Sequence, residues 1–202
     1  MIRALCVSLF IWASVAHAVT LDQLQQRFAS QPVLRADFTQ TRTIKDMAQP
    51  LISHGELLIA QQQGLWWHQA SPFTMTLLLN DKRMSQTINN QPAQIITADT
   101  SPQMFQFNHL LRALFQADMR VLNENFLIDF QDSGNDRWQL VLKPKAAPLN
   151  KIFNRIALQG AAFLGTITLD DKQGDTTRIV FSNQRIQPVQ LTEEERARFA
   201  RP

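Results

Sequence analysis

The chain has 202 residues, of which 45% are hydrophobic and 18% are charged, and its formal net charge is +3. The basic residues are scattered rather than interleaved with aromatic residues, which disfavours a nucleic-acid partner. The one cysteine, Cys6, lies close to the N-terminus, so the chain beyond it can form neither disulfide bonds nor thiolate metal sites.

The N-terminus has the three parts of a secretory signal peptide. Arg3 supplies the positive charge, residues 4–15 form an apolar run, and residues 16–18 (AHA) form a small-x-small cleavage site. The apolar run is shorter than the ~20 residues that span a bilayer, which disfavours an uncleaved anchor. We therefore expect export, cleavage after Ala18, and a single domain over residues 19–202.

A helix is predicted at the start of this domain. Thr20 and Gln23 have the spacing of a capping box. Apolar residues then fall on one face of the helix: Leu21, Leu24 and Phe28. The helix should end near Ser30, before a proline.

Alternation of apolar and polar residues then predicts a series of strands. The first covers residues 34–39, and others follow at regular spacing: 53–60, 64–69, 73–79, 83–88 and 93–98. A second helix is predicted from Ser101-Pro102, where serine can cap the helix and proline can occupy its first turn. Its apolar residues have helical spacing: Met104, Phe107, Leu110, Leu111, Leu114 and Phe115.

Strands resume after the second helix. They are predicted at residues 126–131, 137–143, 153–159, 164–169 and 176–182, with a shorter strand at 185–188. Thr192 and Glu195 then form a second capping box, which predicts a short charged helix ending at Phe199. Roughly ten or eleven strands with short connections and no βαβ alternation indicate a large curved antiparallel sheet or open barrel.

Residues for catalysis or metal binding do not form a recognisable pattern. The histidines His54, His68 and His109 lack metal-ligand spacing, and the sequence has no nucleophile elbow or phosphate-binding glycine loop. Acidic residues at 170–175 match hairpin-turn chemistry better than a calcium loop. We expect no metal, no cofactor and no enzymatic activity; an exported hydrolase is a weaker alternative because no nucleophile–base pair is visible.

Several ordered motifs resemble the LolA family of periplasmic lipoprotein carriers. They are RADFTQ at residues 35–40, GEL at 55–57, LWWH at 65–68, Pro72, WQLVLKPK at 138–145 and GDTTRIVF at 174–181. The resemblance covers essentially the whole chain after the signal peptide. It implies a mainly β fold, an unclosed antiparallel barrel of roughly 10–11 strands with a helical lid, in a protein of the periplasm.

The resemblance also implies a function without covalent chemistry. Such a protein shelters lipid acyl chains, of a lipoprotein or another lipid, for transfer from an inner-membrane donor complex to an outer-membrane acceptor, and is expected to be a monomer. The lining of the concave face is predicted to contain Phe38, Leu58, Leu65, Trp67, Met75 and Leu77. The lid is predicted to contain Leu24 and Phe28 from the first helix and Met104, Phe107, Leu111 and Leu114 from the second.

One position departs from the family pattern. In the family, an arginine in the loop before the Trp-His strand helps to hold the lid closed, and here the matching position is Gln61. Glutamine cannot form the charge-assisted, two-pronged hydrogen bonds of arginine. The alternative is therefore a non-carrier: a periplasmic interaction or assembly factor of the same fold, serving a dedicated envelope glycolipid or lipid export system.

Overall fold

The computed structural model describes residues 19–80, 82–89, 91–97, 99–100, 113, 115 and 118–200. Its helices are α1 (Leu21–Ala29), α2 (Met119–Asn125), α3 (Leu149–Ile152) and α4 (Glu193–Ala200). The strands are β1 (Val33–Thr43), β2 (Leu51–Ala60), β3 (Gly64–Ser71), β4 (Met75–Leu79), β5 (Arg83–Ile88), β6 (Gln94–Thr97), β7 (Phe126–Gly134), β8 (Arg137–Pro144), β9 (Phe153–Gly160), β10 (Leu164–Asp171) and β11 (Thr176–Arg185).

The eleven strands form one antiparallel sheet in the order β6-β5-β4-β3-β2-β1-β11-β10-β9-β8-β7. Each half of the chain forms a meander, and the pairing of β1 with β11 joins the two halves. Because β6 and β7 lie at opposite edges, the sheet curves without closing. The predicted unclosed antiparallel barrel with a helical lid is confirmed.

The helix at the start of the domain forms as predicted. The Thr20 hydroxyl accepts a hydrogen bond from the Gln23 amide, and the Gln23 side chain accepts one from the Thr20 amide. This capping box satisfies two of the amides that a helix leaves unpaired at its N-terminus. The helix ends at Ala29 with Ser30 as its cap, so both ends agree with the sequence prediction.

Most predicted strands are present, with shifted ends. The strand predicted at 73–79 begins at Met75, and the strand predicted at 185–188 is absent because β11 continues to Arg185 and the chain then leaves the sheet. The short helices α2 and α3 lack a sequence signal, since four to seven residues are too few to show a period. Most of the second predicted helix lies outside the described residues.

The two faces of the sheet carry different hydrophobic clusters. We call the face under α1 the inner face; it includes Phe38, Leu57 and Trp67, and its cluster extends across both halves of the sheet. We call the opposite face, which carries α4, the outer face; its smaller cluster consists of Val33, Leu58, Ala60, Trp66, Leu78 and Phe199. The inner face is therefore the surface that α1 covers.

Candidate functional site

Aromatic side chains from both halves of the sheet meet at the centre of the inner face. Phe38 of β1 stacks on Trp67 of β3, with ring centroids 3.8 Å apart and planes inclined by 28°. Trp67 also meets the ring of Phe181 on β11 edge-on, with ring centroids 6.3 Å apart, and Phe115 meets Phe181 edge-on at 6.1 Å. The aromatic contacts connect β3, β1 and β11 across the seam between the two halves.

Most of the predicted lining residues lie on the inner face. Phe38, Leu65 and Trp67 are buried in its cluster, and Met75 and Leu77 are half-buried and pack against it. The structure thus brings five of the six residues predicted for the concave lining to one side of the sheet.

The placement of Leu58 on the inner face is wrong. Leu58 pairs with Arg35 on β1 and with Trp66 on β3, and all three side chains lie on the outer face. Its neighbour Leu57 occupies the inner face instead. Successive residues of a strand point to opposite faces, so a shift of one residue exchanges the two sides. Because residues 57–59 are all apolar, the sequence alone could not choose between them.

The first predicted lid helix covers this face. Leu24 and Phe28 are buried against the inner cluster, and Phe28 meets Trp138 of β8 edge-on with ring centroids 5.9 Å apart. The other predicted lid residues, Met104, Phe107, Leu111 and Leu114, lie outside the described residues. Two residues that were not in the predicted lid do contact the cluster: Ala113 is buried in it, and Phe115 is half-buried against it.

The second half of the sheet contributes lining residues that the sequence prediction left out. They are Phe126, Trp138, Leu140, Leu142, Ile156, Leu158, Ile167 and Ile179. The alternation of residues 138–142 already indicated a shared face, and this pattern was the signal that could have identified part of the set. The inner face is thus apolar across β1–β4 and β7–β11.

A cavity of about 610 Å³ opens beside the C-terminal end of α1. Its apolar wall is formed by Phe28, Leu34, Ile59 and Phe115. Its polar residues are Gln25, Gln31, Gln61, Asp118 and Arg120. The volume lies within the range of about 300–1,000 Å³ that is typical of ligand sites. An apolar wall with a polar rim suits a ligand with an apolar body and a polar end.

Gln61 lies at this rim and fastens the end of α1. Its side-chain amide donates a hydrogen bond of 2.7 Å to the carbonyl of Ala29, the last residue of the helix. Its backbone amide donates to the carbonyl of Pro32 at 3.0 Å. The last carbonyls of a helix lack partners within the helix, so Gln61 satisfies one of them. Gln61, at the position where the family has its lid-holding arginine, therefore contacts α1 through one neutral hydrogen bond.

Polar side chains occupy the part of the inner face farthest from this cavity. Gln40 donates to the hydroxyl of Ser53 at 3.5 Å, and buried Gln69 donates to the carbonyl of Phe73 at 3.0 Å. Both pairs lie towards the β1–β2 and β3–β4 connections. The apolar surface is thus limited on this side by residues that are already hydrogen-bonded.

The acidic residues between β10 and β11 stabilise a hairpin. Asp171 accepts hydrogen bonds from the amides of Gln173 and Asp175, at 2.8 and 2.9 Å. Buried Asp175 accepts from the Lys45 amide at 3.0 Å and from the Arg42 guanidinium at 2.9 Å. These bonds, chiefly the one from the Lys45 amide, hold the pKa of Asp175 below its usual value. Across the described ranges, no group of three or more His, Cys, Asp or Glu residues could hold a metal ion.

None of the helices that the structure describes is long and apolar enough to cross a membrane. No curated protein matches the sequence. Solved structures to which this chain is similar include a LolA superfamily protein from Nitrosomonas europaea, at 12% identity and a TM-score of 0.46, over 88% of this chain and 97% of that chain. A DUF1329 family protein from Desulfovibrio piger is 12% identical with a TM-score of 0.47, over 86% of this chain and 92% of that chain. LprF from Mycobacterium bovis is 14% identical with a TM-score of 0.35, over 89% of this chain and 100% of that chain.

A family model matches nearly the whole chain. It describes LolA-like outer membrane lipoprotein carrier proteins, and the match covers residues 13–198. The match includes α1, all eleven strands and most of α4, and so both the inner face and the elements that cover it. This protein is therefore a member of the LolA-like family of outer membrane lipoprotein carrier proteins.

Proposed function

We propose that this protein is a periplasmic carrier that shelters the acyl chains of a lipid or lipoprotein during transfer from the inner to the outer membrane. The observation that carries the proposal is the inner face, an apolar surface continuous across the two halves of the sheet, with a cavity of about 610 Å³ under the end of α1. The proposed lining includes Phe38, Leu65, Trp67, Met75 and Leu77.

Acyl burial supplies the energy for such binding. Each methylene removed from water contributes about 0.8 kcal/mol, so a single acyl chain is held strongly without any polar contact. Release then requires an acceptor that offers comparable apolar area. Transfer of this kind forms and breaks no covalent bond, so the carrier needs no catalytic group or cofactor.

The elements over the cavity suit reversible opening. The α1 helix has nine residues, two of which are buried, and Gln61 ties its end to the sheet. Helices this short are stable only through their packing. Displacing α1 exposes Leu34 and Ile59 at the cavity wall, so we propose that α1 opens when cargo enters.

A second function also has an observation in its favour. The centre of the inner face is filled by its own aromatic rings, since Phe38 is buried and stacks on Trp67. A filled concavity suits a periplasmic interaction or assembly factor serving a dedicated envelope glycolipid or lipid export system. In that case the protein binds a partner without sheltering an acyl chain.

Acyl binding separates these functions. The full chain is expressed with export, recovered from the periplasmic fraction, and examined by native mass spectrometry and by titration with a fluorescent fatty acid. A carrier retains lipid or binds the probe. A protein that is lipid-free and fails to bind the probe contradicts the carrier function and favours the assembly factor.

Two matched variants test whether the cavity is the site. Ala29 is an exposed α1 residue that lines the cavity, so Ala29→Trp fills the opening without removing a core contact. Gln26 is an exposed α1 residue outside the lining, so Gln26→Trp is the control. We expect probe affinity to fall about tenfold or more in A29W and to stay unchanged in Q26W. Equal affinity in both variants would place the acyl site elsewhere.

A further inference from the structure

Exposed apolar side chains are concentrated at one end of the sheet. We call it the hairpin end; it carries the connections between β1 and β2, β3 and β4, β5 and β6, β8 and β9, and β10 and β11. Large apolar residues that are 41–51% exposed there include Met47, Leu51, Ile52, Phe73, Ile88 and Ile152. Exposed apolar groups gathered in one place, unlike scattered ones, mark an interaction surface.

Strand pairing places these residues on neighbouring connections. Leu51 and Ile52 pair with the end of β1, and Ile88 pairs with Met75 at the start of β4. The amide of Asn89 donates to the carbonyl of Thr74, the residue after Phe73, at 2.9 Å. The apolar residues therefore lie on neighbouring connections at one end of the strands, and we call them the apolar row.

The same end carries exposed lysines. Lys45 is in the β1–β2 connection, Lys172 is in the β10–β11 hairpin, Lys151 is in α3 between β8 and β9, and Lys143 is near the end of β8. Two of the nearby carboxylates are already paired with arginines: Asp175 with Arg42 and Asp170 with Arg155. Lysines therefore outnumber the carboxylates that lack an arginine partner beside the apolar row, although Asp46 is next to Lys45 and Asp171 is next to Lys172.

The connections are held in place by the protein itself. The Lys45 amide donates to Asp175 of the neighbouring hairpin, and the Lys45 side chain packs over Gly174. This arrangement ties the β1–β2 connection to the β10–β11 hairpin. A surface that is already ordered loses little conformational entropy when it binds.

The turns at the opposite end of the sheet are more polar. Its turns include three glutamines at residues 61–63 and the acidic residues Asp132 and Asp136. That end also carries the exposed apolar residue Val189 and the exposed Lys82 of the β4–β5 turn. Several exposed apolar side chains and several exposed lysines therefore occur together at the hairpin end, whereas Val189 and Lys82 are separate examples at the opposite end.

We propose that the hairpin end docks onto the surface of a bilayer that contains anionic phospholipids. Met47 and Phe73 enter the headgroup region, while Lys45 and Lys172 contact lipid phosphates. Apolar insertion combined with lysine attraction is the usual basis of reversible binding at a membrane surface. The inference goes beyond the proposed carrier function, since a protein can shelter acyl chains without touching a bilayer.

Vesicle flotation tests the docking. The protein recovered from the periplasmic fraction is mixed with vesicles of phosphatidylcholine alone or with 30% phosphatidylglycerol, at about 0.1 M salt. Mass spectrometry first verifies its N-terminus, because a retained signal segment would bind lipid by itself. We expect binding to the anionic vesicles, and weaker binding as salt screens the lysines.

Two double variants and matched controls identify the surface. Lys45→Glu with Lys172→Glu should weaken binding to anionic vesicles at least tenfold, and Met47→Ser with Phe73→Ser should also weaken it. Lys82→Glu and Val189→Ser, which change exposed residues away from the hairpin end, should bind as the unchanged protein does. All of these residues are exposed, and thermal unfolding verifies that the variants fold.

Three results would overturn the proposal. The first is that the protein does not bind anionic vesicles. The second is that the protein and all its variants bind neutral vesicles as strongly as anionic ones. The third is that the control variants lose as much binding as the two double variants. Fatty-acid binding, measured on the same samples, keeps the two proposals distinct. Probe binding without vesicle binding defeats docking alone, and vesicle binding without probe binding defeats the acyl carrier alone.

Discussion

The guanidinium of Arg35 on β1 and the carboxylate of Glu195 in α4 form a two-pronged ion pair on the outer face. The Arg35 Nη2–Glu195 Oε2 distance is 2.7 Å, and a second bond joins Nε to Oε1. Arg35 is 4% exposed and also donates to the carbonyls of Pro188 and Gln190. Together these bonds attach the chain after β11 and α4 to the sheet.

Glu195→Gln should therefore destabilise the protein. It leaves the buried guanidinium without a charged partner, and the free energy of unfolding should fall by about 1–3 kcal/mol. Urea denaturation measures the change. Glu193→Gln, in the same helix turn at an exposed position, is the control and should stay within about 0.5 kcal/mol. Equal losses in the two variants would mean that the ion pair contributes nothing.

Acid should weaken the same contact. The hydrogen bonds from Arg35 lower the pKa of Glu195 from 4.5 to about 2. A carboxyl with a lowered pKa stabilises the fold fully above its ordinary pKa, and this contribution is lost as the pH falls towards 2. Asp175, whose pKa is also lowered, adds to the loss in the same direction. The unfolding free energy should decline from about pH 4.5 downwards.

Denaturation at a series of pH values measures this decline. The E195Q variant lacks the titrating carboxyl and should lose less stability than the unchanged protein over the same range. Parallel pH profiles for the two proteins would contradict the assignment of the acid effect to Glu195.

Gln61→Ala should loosen the end of α1. The variant loses the hydrogen bond to the Ala29 carbonyl, so the amides of α1 should exchange with solvent faster, while global stability falls by at most about 1 kcal/mol. Hydrogen exchange followed by mass spectrometry resolves the helix. Gln63→Ala, an exposed residue of the same turn, serves for comparison. Unchanged exchange in Q61A would show that packing alone holds α1.

Gly55→Ala should disturb the pairing of β2 with β3. A Cβ at Gly55 would lie 1.9 Å from the carbonyl oxygen of His68, so the backbone must move. Gly55 also pairs with Phe38, so the movement reaches the aromatic centre of the inner face. We expect a loss of about 1–3 kcal/mol in thermal or urea unfolding.

Gly165→Ala is the matched control for this change. Its added Cβ would meet the nearest atom, the Gln159 carbonyl oxygen, at an ordinary 3.5 Å. Its stability should change by no more than about 0.5 kcal/mol. Equal effects at Gly55 and Gly165 would argue against close backbone approach as the reason for glycine at position 55.

The sequence by itself determined most of the elements of this protein, although not the short helices α2 and α3, because the signals of the others are local. Thr20 and Gln23 specify the start of α1 through hydrogen bonds within one helix turn. The period-two alternation of β1 and β8 and the turn residues between strands specified a sheet of many short strands. The family resemblance supplied the unclosed barrel, and the sheet order of the structure agrees with it.

Tertiary structure decided which side of each strand faces the lid and which distant residues meet. The run Leu57-Leu58-Ile59 is apolar on both sides, so only pairing with Arg35 and Trp66 places Leu58 on the outer face. The partner of Arg35 lies 160 positions away at Glu195. Contacts between residues so far apart depend on how β1 pairs with β11, and no local pattern contains that information.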